Sequence, residues 1–106
     1  MHFKIFADVN TSDKARKVLH KVLTLLESDY SDEEVKSYHK GGFICSFTIA
    51  LQTDNWPQSV FQALLMAQKI GRSWVLTGNI AEELDAWSSE PSVVGVQNIH
   101  VVLSNA

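Results

Sequence analysis

The chain is poor in several residue types, and each shortage excludes a class of protein. It has one cysteine, Cys45, which rules out an internal disulfide and fits a reducing compartment. No apolar run approaches the roughly 18 residues of a membrane-spanning helix, and the N-terminus lacks the apolar stretch of a signal peptide. We therefore expect a cytoplasmic protein with no membrane association, folded as a single domain over residues 1–106.

Motifs for metal binding and catalysis are also missing. The four histidines are scattered and no CxxC, HxxxH or HExxH spacing occurs, so we expect no metal and no cofactor. The sequence contains neither a nucleophile elbow nor a phosphate-binding GxxxxGK[ST] loop. Cys45 lies on the apolar side of a predicted strand, where a thiol acts as a small apolar side chain. We expect no enzymatic activity.

Basic residues are absent after Arg72. That part of the chain has four acidic residues, a formal charge of −4, whereas residues 1–72 hold all nine basic residues against eight acidic ones. A second acidic segment lies at residues 27–34. Negative potential of this kind attracts cationic proteins and repels nucleic acid. Two interpretations of the carboxylates stay open: contact with a basic partner, or a solvated face that aids solubility.

Hydrophobic periodicity predicts an α+β fold. Alternating apolar residues predict strands over 3–9, 35–40, 43–51, 74–77 and 93–103, with a helix after the first strand and another after the third. This order, with its last strand appended, is the ferredoxin-like split β-α-β sandwich, in which two helices pack on one face of an antiparallel sheet. We expect the first and third strands in the centre, the second at one edge, and the fourth and fifth together at the other.

Both helices have recognisable first turns and apolar sides. Polar residues 10–12 supply the N-cap of the first helix, and Asp54 or Asn55 that of the second, with Pro57 in its first turn. Gly71 is expected to end the second helix. The first helix is predicted to bury Ala15, Val18, Leu19, Val22, Leu25 and Leu26. The second is predicted to bury Val60, Phe61, Leu64, Leu65 and Ala67.

Residues 79–92 form a longer connection than a minimal fold of this type needs. Ile80, Leu84 and Trp87 recur at spacings of four and three, which predicts one or two helical turns lying on the sheet. Trp87 is then either a core anchor or, since long loops often bind partners, a contact residue. The acidic residues of these turns would point outward: Glu82, Glu83 and Asp85.

The run W-V-L-T-G-N-I-A-E-E-L-D-A-W at 74–87, followed by G-V at 95–96 and I-H at 99–100, resembles small bacterial immunity proteins. These are the antitoxin partners in contact-dependent inhibition and related polymorphic toxin systems. The resemblance implies a non-catalytic protein that binds one cognate toxin domain, frequently a nuclease, and blocks its active site or an essential surface.

Charge and aromatic content agree with such a role. A nuclease holds phosphates with lysine and arginine, so clustered carboxylates fit the same groove, and aromatic residues among them supply contact energy. The predicted partner is therefore a basic toxin protein and not a nucleic acid. The predicted binding residues are Glu82, Glu83, Asp85, Trp87 and Glu90, with a second candidate patch of Asp29, Tyr30, Asp32 and Glu33.

The predicted fold is also used by proteins of two other functional classes. A small-molecule-binding regulatory module of the ACT or nitrogen-regulator type uses a similar sheet and dimerises edge to edge, so a homodimer stays open. Its glycine-rich ligand loop is missing here, because residues 8–11 contain no glycine. An acylphosphatase-like enzyme needs an arginine near the start of the first helix, whereas Arg16 lies well inside the predicted helix.

Overall fold

The computed structural model describes residues 1–105, which form two helices and eight strands. Neither helix within this range has the length and apolar character needed to cross a bilayer. In chain order the elements are β1 (His2–Ala7), α1 (Ser12–Leu26), β2 (Ser31–Ser37), β3 (Phe43–Thr48), α2 (Trp56–Ala67), β4 (Gly71–Arg72), β5 (Val75–Thr77), β6 (Glu83–Ser88), β7 (Glu90–Pro91) and β8 (Val96–Ser104).

Six of these strands form one antiparallel sheet in the order β2-β3-β1-β8-β6-β5, and β4 pairs with β7 in a separate small sheet. The predicted α+β class is confirmed. So are the interior positions of β1 and β3 and the edge position of β2. The sheet has one strand more than predicted, and the strands β5 and β8 are not neighbours because β6 lies between them.

The prediction of helical turns within residues 79–92 is wrong for its central part, which is strand β6. Leu84 and Ala86 are buried, whereas Asp85 and Trp87 point to the other face of the sheet, so the period is two. Leu84 and Trp87, three residues apart, would share a face in a helix and lie on opposite faces here. Pairing with β8 over six residues gives this segment backbone partners that a short helix could not supply.

Helix α1 begins as predicted and buries nearly the predicted side. Thr11 is its N-cap, and the hydroxyl of Thr11 accepts a hydrogen bond from the backbone N–H of Lys14 at 3.2 Å. One apolar position was assigned wrongly, because Leu25 is 44% exposed and Leu23 is buried instead. The buried side consists of Ala15, Val18, Leu19, Val22, Leu23 and Leu26.

Helix α2 packs through small residues, of which the sequence pattern predicted only Ala67. Asn55 caps it as expected, but its buried residues are Ser59, Ala63 and Ala67. Phe61 and Leu65 were predicted to be buried and are 63% and 51% exposed. The helix is apolar on more than one side, so periodicity alone could not select the side that meets the sheet. Its small side chains form the buried face, where Ala63 packs against the β6 residues Leu84 and Ala86.

The end of α2 also differs from the prediction. The helix stops at Ala67, with Gln68 as C-cap, and Gly71 is the buried first residue of β4. A Cβ at Gly71 would come within 3.1 Å of the Ser88 hydroxyl oxygen and 3.3 Å of the Trp74 ring. The close approach of these side chains therefore favours glycine at this position, because a Cβ would require them to shift by a few tenths of an ångström. Gly71 is not the turn residue that ends the helix.

Both helices lie on the same face of the six-stranded sheet. The residues of β1, β3 and β8 that pack with α1 are opposite one another in the strand register, as at Phe3, Phe47 and Val101. The rings of Phe3 and Phe47 stack with centroids 4.7 Å apart. Val101 is in turn opposite Ala86, which packs with α2. One side of the sheet thus forms the core, and the other side receives neither helix.

Substitution at the β2–β3 turn tests the packing of this turn on β1. Gly41 and Gly42 both have positive φ angles, but a Cβ at Gly42 would overlap the carbonyl oxygen of Ala7, whereas a Cβ at Gly41 meets nothing within 4 Å. We expect Gly41→Ala to lower the free energy of unfolding by about 1 kcal/mol and Gly42→Ala by about 3 kcal/mol. Urea denaturation measures both; equal losses would contradict a close approach of this turn to Ala7.

Candidate functional site

The candidate site is the face of the six-stranded sheet that points away from both helices, here called the open face. Strand register assigns alternate residues of each strand to it, and none of them is buried. From β2 to β5 they are Glu34, Lys36, Ile44, Ser46, Thr48, His2, Lys4, Phe6, Asn98, His100, Val102, Ser104, Glu83, Asp85, Trp87, Val75 and Thr77.

Four rings on this side form an aromatic cluster, defined as Phe6, Tyr38, Trp87 and His100. Trp87 lies between two of them: its ring is 3.9 Å from that of His100 at 10°, and 5.9 Å from that of Phe6 at 24°. Tyr38 meets the edge of Phe6 at 5.5 Å. Trp87 is nevertheless 39% exposed, so part of its side chain can contact another molecule. Stacking holds the ring in one orientation, which lowers the entropy cost of binding.

A hydrogen bond fixes the ring on which Trp87 stacks. Nε2 of His100 lies 2.8 Å from Oδ1 of Asp85 on the neighbouring strand. The carboxylate only accepts, so the imidazole nitrogen is the donor. Asp85 and Trp87 are two residues apart on β6, and His100 is directly opposite Trp87 on β8. These three side chains therefore act as one unit whose geometry is set by the pairing of β6 with β8.

A groove lies beside this unit at the end of the open face. It has a volume of about 300 Å³ and apolar walls from Phe6, Tyr38 and Trp87. Lys40 and Asn98 add polar groups to its lining. Gly41 also lines it, so the tight β2–β3 turn brings Lys40 to the groove. The groove can accept a ring or a long side chain from another molecule.

Charge is distributed unevenly across the open face. Its β1 and β2 side presents Lys4 and Lys36, the second paired with Glu34 at 2.8 Å. Burial, and next the charge of Lys4, lower the pKa of His2 on the same side. Glu83 and Asp85 lie on the β6 side. Two carboxylates therefore lie on the β6 half of the open face, here called the anionic half, whereas the half formed by β1 and β2 carries two lysines and one carboxylate, Glu34.

The first predicted patch is only partly brought together. Glu83, Asp85 and Trp87 follow one another on the open face of β6, and Glu82 is exposed in the turn before it. Glu90 lies on β7 in the small sheet, opposite Arg72. At about 3.3 Å per residue, the separation of Glu83 and Glu90 corresponds to roughly 23 Å along an extended chain. Within residues 1–105 Asp85 is hydrogen-bonded to His100, and none of the other three carboxylates has an ion-pair partner.

The second predicted patch lies at the opposite edge of the sheet. Asp32 and Glu33 are exposed on β2, four strands from β6, which corresponds to roughly 19 Å. Asp29 and Tyr30 precede that strand. The ring of Tyr30 packs edge-on against Phe47, a residue of the core side, at 6.4 Å. The two patches therefore cannot form one continuous surface centred on the open face.

Sequence reasoning missed several members of the site. Phe6, Tyr38 and His100 were not predicted to bind a partner, and Trp87 was assigned to helical turns. Phe6 did carry a signal, because alternation in β1 sends it to the side opposite Phe3 and Ile5. Alternation in the last strand sends His100 to the side opposite Ile99 and Val101 in the same way. Tyr38 carried no such signal, and the proximity of all these rings depends on which strands are neighbours.

Comparison with models of protein families, with curated protein sequences and with solved structures gave no match for this chain.

Cys45 is expected to be unreactive while the protein is folded. The side chain is fully buried, its thiol contacts the carbonyl oxygen of Ala15 at 3.6 Å, and burial raises its pKa to about 11. Labelling by a disulfide-exchange reagent at mildly alkaline pH should be on the order of 100-fold slower in buffer than in urea. Absorbance of the released chromophore measures the rate. Rapid stoichiometric labelling in buffer would mean that the thiol is accessible.

Proposed function

We propose that the protein is a non-catalytic immunity protein, which binds and neutralises a cognate toxin domain through the anionic half of the open face. The observation that carries the proposal is the position of Trp87. It is an exposed, stacked aromatic residue on an uncovered sheet face, with Asp85 and Glu83 on the same strand. A rigid aromatic anchor beside carboxylates is the arrangement expected of a surface that recognises a basic protein.

Electrostatics supports a protein partner with exposed lysine and arginine. Glu82 and Glu83 have no ion-pair partner within residues 1–105, so their charge is available to another molecule. No basic residue follows Arg72 to weaken the potential around β5 and β6. Such a field accelerates association with a cationic surface and loses strength as salt is added. A nuclease toxin, whose substrate site must hold phosphates, offers a cationic surface of this kind.

The first patch supports binding better than the second. Its aromatic residue, Trp87, points to the same side of the strand as Glu83 and Asp85. In the second patch Tyr30 leans on the core residue Phe47, while Asp32 and Glu33 lie on an edge strand. Tryptophan among carboxylates on one surface is the better hot spot, because binding energy concentrates where aromatic anchors are central. Glu90 lies apart and is proposed to act only at the rim.

We propose further that the fold is a ferredoxin-like split β-α-β sandwich with an insertion. The order β2-β3-β1-β8 supports this if β8 is counted as its fourth strand. Residues 71–91 would then be the insertion, which adds the β5–β6 hairpin to the sheet and the small β4–β7 sheet beside it. A single buried thiol with no disulfide agrees with a cytoplasmic location, where an immunity protein would meet an incoming toxin.

Toxin binding should depend on Trp87 and Glu83. The immobilised chain is used to capture proteins from a lysate of the producing bacterium at low salt, and the captured domain is then expressed alone in a bacterial host. We expect that domain to arrest growth and the wild-type chain to restore it. Trp87→Ala with Glu83→Lys should weaken binding about 100-fold, as loss of an aromatic anchor and a charge reversal do, and should abolish protection.

A matched control makes the same chemical changes in the second patch. Tyr30→Ala with Glu33→Lys should leave both binding and protection unchanged, and circular dichroism checks that both double variants are folded. If the control loses protection and the Trp87 variant retains it, the first patch is not the interface. If no captured domain arrests growth, the immunity function itself is wrong.

The groove favours a second candidate, a small-molecule-binding regulatory module with an ACT-like or nitrogen-regulator-like fold. The volume of the groove, about 300 Å³, is at the lower end of the range of volumes of ligand sites. Three aromatic walls and the ammonium group of Lys40 would suit a ring that carries an acidic group.

Thermal-shift measurements against amino acids and nucleoside monophosphates separate the two candidates. An immunity protein should show no shift in melting temperature with either class. A saturable rise in melting temperature would favour the regulatory module, because a bound ligand stabilises the folded state by mass action. For that module, Lys40→Ala should abolish the rise, and Lys21→Ala, on the exposed side of α1, should leave it intact.

A further inference from the structure

A second groove lies where the chain leaves α2 and turns into β4 and β5. Its volume is about 470 Å³, within the range of small-molecule sites. The side chains that line it are Leu64, Gln68, Arg72, Ser73, Trp74 and Leu76. None of them belongs to the open face. This groove is here called the Arg72 groove.

Three apolar side chains line the Arg72 groove. Leu64 comes from α2, and Leu76 of β5 lies opposite Ala86, on the side of the sheet where α2 packs. Trp74 is partly buried and packs against the core. Its indole N–H donates a hydrogen bond to the carbonyl oxygen of Gly71 at 3.1 Å. The ring is therefore held in place before a ligand arrives, which lowers the entropy cost of binding.

Arg72 is the charged residue among these lining side chains. The ion pairs formed within residues 1–105 do not include it. Glu90 lies opposite Arg72 on β7 but does not line the groove. A guanidinium group binds a planar carboxylate through two parallel hydrogen bonds, and it does so more strongly beside apolar surface than in open water. The groove thus combines an apolar surface with one cationic group that is available to an anion.

The backbone that carries Arg72 is fixed by the fold. The hydroxyl of the buried residue Ser88 donates to the carbonyl oxygen of Arg72 and accepts from the backbone N–H of Glu90 at 3.2 Å. Ser73 has a φ angle of 52°, in the left-handed region that few residues other than glycine adopt. This turn lies between β4 and β5, and Arg72 and Trp74 on either side of Ser73 both line the groove.

We propose that the Arg72 groove binds a small monocarboxylate with a flat apolar body. The carboxylate pairs with the guanidinium group of Arg72, and the body packs against Trp74, Leu64 and Leu76. The amide of Gln68 and the hydroxyl of Ser73 can donate further hydrogen bonds to the carboxylate. A ligand here leaves the open face uncovered, so this inference goes beyond the proposed function and does not depend on it.

Charge restricts the ligand to a single negative group. One guanidinium neutralises one carboxylate, whereas a phosphate would keep part of its charge unpaired beside apolar side chains. Free amino acids are also excluded, because their ammonium group would lie close to Arg72 and the lining offers it no carboxylate. For a fragment-sized acid in an open groove we expect a dissociation constant on the order of 1 mM.

A titration with three probes that share an indole ring tests the site. The probes are indole-3-acetate, the uncharged indole-3-acetamide and the cationic tryptamine, each added to the ¹⁵N-labelled chain up to about 10 mM, well above the expected dissociation constant. Indole-3-acetate should cause saturable NMR shifts of the backbone amides of residues 68–76 and of the Trp74 indole N–H. The other two should bind at least about 10-fold more weakly, because a charge-assisted hydrogen bond is lost.

Arg72→Gln should weaken binding of indole-3-acetate about 10-fold for the same reason. Lys69→Gln is the matched control, since Lys69 is an exposed cation three residues away that does not line the groove, and it should leave binding unchanged. Dispersed NMR spectra check that both variants are folded. The inference is overturned if indole-3-acetate causes no saturable shifts, if its shifts centre on Lys40 and Phe6, or if indole-3-acetamide binds equally well. Equal losses in the two variants would also overturn it.

Discussion

Packing of both helices against one face of the sheet is the constraint on which the other features depend. Phe3, Phe47 and Val101 meet across three strands on that face, and Ala86 continues it onto β6. Because side chains alternate along a strand, a slip of one residue in any of these pairs would exchange core and surface. The same register that buries Ala86 therefore exposes Asp85 and Trp87, and the core and the candidate site are two results of one alignment.

The open face combines features that a rigid recognition surface needs. Trp87 is held by stacking on His100, and His100 is held by Asp85, so the anchor is ordered before a partner arrives. The carboxylates beside Trp87 would steer the approach of the proposed basic partner, because long-range charge acts before contact does. The lysines of the open face lie on β1 and β2. In the proposed function a basic protein would therefore approach the β6 side, where a nucleic acid would gain little.

The same packing of helices on the sheet also determines which side chains are exposed at the edges of the sheet and on the outer side of α2. Helix α2 packs closely through Ala63, which leaves its large residues Phe61 and Leu65 in solvent. Exposed apolar side chains on the outer side of α2 and on edge strand β5 are costly to leave in water, since about 25 cal/mol is lost per Å² of apolar surface. The charged β2 edge carries no such cost. The molecule is therefore asymmetric in the surfaces it offers, with a charged edge, an apolar edge and an aromatic face.

The sequence by itself determined what depends on near neighbours in the chain. Thr11 and Asn55 are caps because their side chains reach the adjacent backbone, and alternation in β1 and β3 assigned Phe3 and Phe47 to the core. Only the tertiary structure decided the rest. Leu84 and Trp87 fit a helix at a spacing of three until pairing with β8 made the segment a strand, and α2 was apolar on more than one side until contact with Ala86 selected Ala63. The aromatic cluster joins residues up to 94 positions apart in the chain, from Phe6 to His100, because strand order and not local spacing brings them together.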